Sequence, residues 1–234
     1  MTKPAASYYF NKYIYCCLAD NHMVFLDQKK DKYMCLDHIQ TRAIWPFLNN
    51  RSSDLETQEN TIVADTLNLL LDNEILTLSP KSGKDISSVL IEPASRELTG
   101  YDTDNKPKTL VKHVCYFLSS CLISAIYLRF LSLDHIVQRL EKRKRTKQKI
   151  PKEKFQDLVE IFKSLRPLIF TSHDNCMFHS LALIEYLSHF NLYPCWVFGV
   201  KMGPFVAHCW VQNDDMTLND SVDHVAAFTP IMAV

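Results

Sequence analysis

The chain of 234 residues is 47% hydrophobic and 22% charged, a composition that predicts a folded protein with one or two hydrophobic cores. Its 26 basic and 26 acidic side chains cancel, so overall charge directs it to neither nucleic acid nor an acidic surface. The first ten residues hold no apolar run behind basic residues, and we therefore expect no secretory signal and a cytoplasmic protein.

Three short strands forming two hairpins are predicted near the N-terminus, at Tyr13–Leu18, Met23–Asp27 and Lys32–Leu36. A helix should follow, because Asp37 and Gln40 have the spacing of a capping box. A second helical period covers Thr61–Asp72, and Asn73 is placed to end that helix in the left-handed conformation. Ile75–Leu78 is predicted as a short closing strand.

Proline, glycine and polar residues predict a linker over 80–108. It would divide the chain into an N-terminal module, 1–79, and a C-terminal domain, 109–234. The uncharged stretch Val114–Leu128 is shorter than the roughly 20 residues of a membrane span and predicts a buried helix. The basic run Arg139–Lys149 is interpreted as a solvated helix end, with contact to anionic lipid or an acidic partner as the alternative.

The C-terminal domain shows helical and then strand-like patterns. Helices are predicted at Lys152–Leu165 and Cys176–Phe190, and strands at Cys195–Val200, Phe205–Val211 and Met216–Asp220. A helix followed by a meander of antiparallel strands indicates an α+β fold class.

Eight cysteines lie without the regular spacing of a disulfide framework, so most should be free thiols. No CxxC pair occurs, and Cys176 with His179 forms a helix-spaced Cys/His pair without further ligands at metal-site spacing. No metal site is therefore predicted.

Cys176 is the candidate nucleophile because of its position. The segment before it is a polar loop, and the residues after it have the period of an amphipathic helix. The unpaired N–H groups and positive dipole of a helix start favour the thiolate, which is the reactive form of cysteine. The competing interpretation is that Cys176 is a buried filler, as free cysteines usually are.

His208 and Asp220 complete a candidate catalytic triad. His208 lies on a predicted strand, and a three-residue hairpin loop at Asn213-Asp214-Asp215 would place Asp220 directly opposite it. A two-residue loop would place Ser221 there instead. A facing carboxylate would orient the imidazole as it takes the thiol proton. The remaining histidines considered, His173, His179, His189 and His224, are interpreted as surface or packing residues.

These residues resemble the lasso-peptide maturation B proteins, the leader peptidases of microcin-type biosynthetic clusters. The matching blocks are Asp174-Asn-Cys-Met-Phe-His-Ser-Leu-Ala-Leu, Phe198-Gly-Val-Lys, Pro204-Phe-Val-Ala-His-Cys-Trp-Val-Gln and Leu218-Asn-Asp220. The resemblance implies a papain/transglutaminase-like cysteine protease domain in which Cys176, His208 and Asp220 are the catalytic residues.

The first segment resembles that family's N-terminal half, a winged-helix-like module that recognises the leader of a precursor peptide. The resemblance implies that the leader adds as a strand along Tyr33, Met34, Cys35 and Leu36, and lies against the helix Thr61–Asp72.

The function implied by the resemblance is cleavage of the leader from the core of a ribosomal lasso-peptide precursor before macrocyclisation. An asparagine-synthetase-like cyclase is the implied partner, and any ATP dependence would belong to it, so this chain is expected to need no cofactor. Neither nucleic acid nor a membrane is expected as a partner. The alternatives are a non-catalytic precursor-binding chaperone and an acyl transferase that uses the same Cys-His-Asp core.

Overall fold

The computed structural model describes residues 8–48, 57–84, 91–98, 109–144, 152–169 and 175–234. The chain divides into two compact units, one formed by Met1–Leu90 with Lys201–Phe205 and the other by Ile91–Val200 with Val206–Val234. Both contain helices and strands, so the predicted α+β class is confirmed.

The first unit contains two small sheets and two helices. Its elements are β1 (Tyr9–Asn11), β2 (Ile14–Ala19), β3 (His22–Asp27), β4 (Lys32–Cys35), α1 (His38–Leu48), α2 (Thr57–Asp72), β5 (Leu76–Thr77) and β6 (Gly83–Lys84). One sheet has the order β2-β3-β4 and the other the order β5-β1-β6, with antiparallel pairing throughout. Apolar side chains from both sheets and both helices share one core, which includes Phe10, Phe25, Ile44 and Leu70.

The three predicted strands of this unit are confirmed to within one residue at each end. The predicted capping box at the start of α1 is also confirmed. The Gln40 N–H donates to Asp37 Oδ1 at 2.8 Å, and the Asp37 N–H donates to Gln40 Oε1 at 3.2 Å. These bonds satisfy two backbone donors that would otherwise be left without partners at the helix start.

The prediction that Asn73 ends α2 in the left-handed conformation is wrong, because Glu74 has the positive φ of 60°. The Asn73 side chain instead donates to the Leu69 carbonyl at 2.8 Å and so satisfies one of the last helical acceptors. The predicted closing strand exists as β5, which pairs with β1, a strand that was not predicted.

The described residues of the second unit form five strands and five α-helices. They are β7 (Arg96–Glu97), α3 (Val111–Phe130), α4 (Leu133–Lys144), α5 (Lys152–Leu165), α6 (Cys176–Ser188), β8 (Cys195–Lys201), β9 (Val206–Asn213), β10 (Met216–Thr217), α7 (Val222–Val225) and β11 (Thr229–Ala233). The sheet order is β11-β8-β9-β10-β7. Helix α6 packs on β9 and on α3 and α5, so it is the central helix of this unit.

The segment expected to be a linker, 80–108, contributes strands to both units where it is described. β6 pairs with β1, and β7 pairs in parallel with β10. Ser95 and Arg96 donate their side-chain hydrogen bonds to the Asp215 carboxylate. Such two-residue strands have no apolar alternation of their own, so only their partners identify them. The change from one unit to the other falls between Leu90 and Ile91.

Helix α3 is buried on one side only. Phe117 and Cys121 are buried, whereas Leu118, Leu122 and Ile126 are exposed, so the predicted burial holds for only part of the helix. By length and composition alone, α3 would be able to cross a membrane.

The basic run begins in α4. Two of its described arginines make contacts within the protein, so the run is more than a solvated helix end. Arg143 donates two hydrogen bonds to the buried carboxylate of Glu185, at 2.9 and 2.7 Å. Arg139 donates to the Tyr127 hydroxyl at 3.1 Å and lies over its ring. The rest of the run, 145–149, lies outside the described residues.

Candidate active site

Cys176 is the first residue of α6, as predicted, and the cysteine is half-buried. The helix forms at this point because its apolar residues from Leu181 to Leu187 fill the core of the second unit. The structure therefore places the sulfur at the positive end of a helix, where a thiolate is favoured. The predicted loop before it, 171–174, lies outside the described residues, as does His173.

His208 lies on β9 and contacts both other predicted residues. Its Nε2 lies 2.5 Å from Asp220 Oδ2. The ring also interacts with the Cys176 side chain, and this interaction contributes to raising the pKa of His208. The structure thus brings together Cys176, His208 and Asp220 in the order that a cysteine nucleophile, a base and an orienting acid require.

The register predicted for this contact is wrong. Met216 pairs with Asn213 and Thr217 with Gln212, so the hairpin has a two-residue turn in which Asp214 has a φ of 53°. In that register Asp220 would not stand opposite His208.

Asp220 reaches His208 because the chain leaves the ladder after Leu218, whose N–H still donates to the Val211 carbonyl at 2.9 Å. The Asn219 side chain accepts the Val211 N–H at 2.8 Å, in the place of a backbone carbonyl. The Thr217 hydroxyl donates to the Asp220 carbonyl at 2.8 Å and closes the turn. This turn carries the Asp220 carboxylate to the imidazole.

The charges of the site support a thiolate and an imidazolium. Hydrogen bonds with Cys209 and His208 lower the pKa of Cys176 to about 4, although partial burial acts in the opposite direction. Burial disfavours a charged His208, but its hydrogen bonds with Asp220 and Cys176 raise the pKa of the ring to about 9. Burial also opposes ionisation of Asp220, yet hydrogen bonds from His208, His224 and the Ser221 N–H lower the pKa of that carboxyl. The ion pair is therefore the stable form near neutral pH.

Ser180 and Asn219 support the site, and neither was predicted. The Ser180 hydroxyl donates to the Cys209 carbonyl at 3.3 Å and accepts the Asn219 amide at 3.0 Å. These bonds tie α6, which carries Cys176, to β9 and to the turn that carries Asp220. Cys209 is a buried thiol whose pKa burial raises well above its usual value, so it remains protonated and can donate to Cys176.

His224 is not only the packing or surface residue expected from the sequence, since its Nδ1 lies 2.9 Å from Asp220 Oδ1. Together His208, Asp220 and His224 offer two imidazoles and a carboxylate whose ligand atoms lie within 4.8 Å of one another. A metal ion held there would have to replace the hydrogen bond between His208 and Asp220. The contacts of this cluster therefore suit proton chemistry better than metal binding.

The residues predicted to bind a leader lie at the edge of the sheet β2-β3-β4. Tyr33 and Met34 are half-buried on β4, and Cys35 is exposed at its end. Leu36 lies beyond the strand and is fully buried in the core of the first unit. Its side chain is therefore unavailable to a peptide, contrary to the expectation.

None of the eight cysteines, all of which lie in described residues, is in a disulfide, in agreement with the expectation of mostly reduced thiols, so the Cys176 thiolate can be tested directly. We expect iodoacetamide at pH 5.5 to alkylate Cys176 about tenfold faster than an ordinary exposed thiol, because only a thiolate reacts and an ordinary thiol is largely protonated there, although a thiolate of low pKa is the weaker nucleophile. Peptide mapping by mass spectrometry measures each rate. From pH 3 to 9, the rate at Cys176 should rise with an inflection near pH 4. In His208→Ala that inflection should move toward the value of an ordinary thiol, and an ordinary value in the wild type would contradict the ion pair.

Residues 121–233 match the family model of the transglutaminase-like superfamily. Comparison with curated proteins and with solved structures found no match. The matched range begins within α3 and includes Cys176, His208 and Asp220. It indicates a fold of the cysteine protease or acyltransferase type, for which a thiolate beside an imidazole is the expected chemistry. The C-terminal part of this chain therefore contains a domain of the transglutaminase-like superfamily.

Proposed function

We propose that this chain is a cysteine protease that cleaves the leader from the core of a ribosomal lasso-peptide precursor before macrocyclisation. The observation that carries the proposal is the hydrogen bond between His208 and Asp220, in which Nε2 and Oδ2 are 2.5 Å apart, on a ring that also interacts with Cys176. The sequence blocks around these residues, which resemble the lasso-peptide maturation B proteins, support the choice of substrate.

The reaction follows from the charges of the site. The Cys176 thiolate attacks the last carbonyl of the leader, and the N–H of Cys176 is proposed as one donor to the resulting oxyanion. The C–N bond then breaks, and His208 gives a ring proton to the departing core amine. A thioester between Cys176 and the leader remains. Water attacks it as His208 takes the water proton, which frees the leader acid and restores the thiolate.

The first unit is proposed to capture the leader as a winged-helix-like recognition module. Within the part of the chain that the structure describes, β4 pairs with β3 and lies at the end of its sheet. An extended leader added at that edge would gain backbone hydrogen bonds, and Tyr33, Met34 and Cys35 would meet its side chains. Leu36 would support the strand from within the core.

The partner proposed for the second step is an asparagine-synthetase-like cyclase. It would take the free core amine and close it onto an acidic side chain with ATP, in the cytoplasm. No step proposed for this chain consumes a nucleotide or requires a cofactor.

Product analysis in H₂¹⁸O tests the proposal with a synthetic lasso-peptide precursor that consists of a leader and a core peptide. We expect a leader fragment with one ¹⁸O in its new carboxylate, because water resolves the thioester. The same core peptide without its leader should remain intact, since the first unit would have nothing to bind.

Each competing function gives a different result. A leader joined to an added amine, without ¹⁸O, would show acyl transfer. A precursor left intact by the wild type but cyclised or cut only by the added cyclase would show a chaperone. Either result would overturn the proposal.

A further inference from the structure

We propose that His224 is a positioning residue of this site, which holds the Asp220 carboxylate in the orientation that engages His208. The inference deepens the proposed function and rests on it for the kinetic part of its test. Nothing in the chain's family match assigns a role to this histidine.

The two oxygens of Asp220 are divided between two imidazole rings. Oδ2 lies 2.5 Å from His208 Nε2, and Oδ1 lies 2.9 Å from His224 Nδ1. Oδ1 also accepts the Ser221 N–H at 2.8 Å. A carboxylate held at both oxygens cannot turn about its Cβ–Cγ bond without losing a bond to a donor, so His224 restricts the rotation that would release His208.

The local fold fixes the His224 ring for this contact. Helix α7 begins after Ser221, whose hydroxyl oxygen accepts the His224 N–H at 3.3 Å. The Val222 N–H donates to Glu97 Oε2 at 3.2 Å, and this bond anchors the start of the helix to the edge strand β7. The short helix therefore has its own anchors, independent of the bond between His224 and Asp220.

Aromatic packing completes the arrangement. The His224 and His208 ring centroids are 4.8 Å apart, and the buried Phe228 ring lies 5.4 Å from the first and 5.1 Å from the second. Phe228 can pack in this place because its neighbour Gly199 has no side chain. A Cβ at Gly199 would lie only 2.9 Å from the Phe228 Cβ. The His224 side chain is nevertheless 48% exposed, so its loss should weaken the site without dismantling the core.

Two substitutions separate hydrogen bonding from shape. In His224→Asn the side-chain amide lies at the same distance from the backbone as Nδ1 and can still donate to Asp220. His224→Leu fills the space without a donor. Ala226→Ser, at an exposed position two residues further along the chain, is the matched control.

We expect His224→Leu to lower kcat for precursor cleavage about tenfold with KM unchanged, the factor for one hydrogen bond to a charged group. His224→Asn should stay within about threefold of the wild type, and Ala226→Ser should equal it. A thermal unfolding curve for each variant shows whether the fold is retained. Equal losses in the Leu and Asn variants, or no loss in either, would overturn the inference.

The pH dependence of Cys176 alkylation provides a readout that needs no substrate. Its inflection near pH 4 should move to higher pH in His224→Leu and return in His224→Asn, because a looser Asp220 holds the imidazolium less firmly beside the sulfur. If the wild type does not cut the precursor, the proposed function fails while this comparison still decides the role of His224. If cleavage occurs and neither readout responds to His224→Leu, the role of His224 fails alone.

Discussion

Replacing Cys176 with alanine should reduce precursor cleavage by roughly 10⁴-fold or more, because no other group can form the thioester. Initial rates of leader release, followed by chromatography and mass spectrometry, measure the loss. Cys115→Ala is the matched control, since Cys115 is an exposed thiol on α3, and it should leave the rate unchanged. A Cys176→Ala variant that retains a tenth of the wild-type rate would contradict the assignment.

His208 and Asp220 should act with Cys176 as one unit. His208→Ala in a chain that already carries Cys176→Ala should therefore cause little further loss, because the base has no thiol to serve. This comparison distinguishes a cooperating triad from three residues with independent effects.

Replacing Arg143 with methionine should lower the free energy of unfolding by about 2–3 kcal/mol. Both oxygens of Glu185 accept hydrogen bonds from Arg143, and the Glu185 side chain is only 3% exposed. Removing the arginine leaves a buried carboxylate without its cation. The expected loss of stability is smaller than the roughly 3–5 kcal/mol measured when one partner of a fully buried pair is removed, because the Arg143 side chain is 33% exposed.

Urea denaturation followed by circular dichroism measures this loss. Lys142→Met, on the exposed neighbouring position of α4, should change stability by less than about 0.5 kcal/mol. Adding Glu185→Leu to Arg143→Met should recover part of the loss, because the unpaired buried charge is then gone. An Arg143→Met variant as stable as the wild type would show that the pair contributes nothing.

Local signals allowed the sequence to predict much of the fold. The Asp37 and Gln40 capping box, the strands of the first sheet and the helix that begins at Cys176 each depend on residues close together in the chain. The strands β1 and β5 to β7 are two or three residues long and exist because distant partners complete them. Their patterns could not be recognised without those partners.

The candidate site was predictable to a different degree for each residue. A helix start identified Cys176, and strand pairing led to Asp220 through an incorrect register. The contact depends on a turn in which the Asn219 side chain replaces a ladder carbonyl, which no alternation pattern reveals. His224 lies on a four-residue helix too short for a periodic signal, and Arg143 lies in a charge run that resembles a solvated surface.

A leader peptide that ends in a vinyl sulfone in place of the scissile bond tests the central claim most directly. The Cys176 thiolate should add to it once, giving a single covalent adduct on the tryptic peptide that contains Cys176, and the labelled protein should no longer cut the precursor. His208→Ala should prevent the labelling. An adduct on another cysteine, or a wild-type protein that cuts the precursor while it stays unlabelled, would contradict the account.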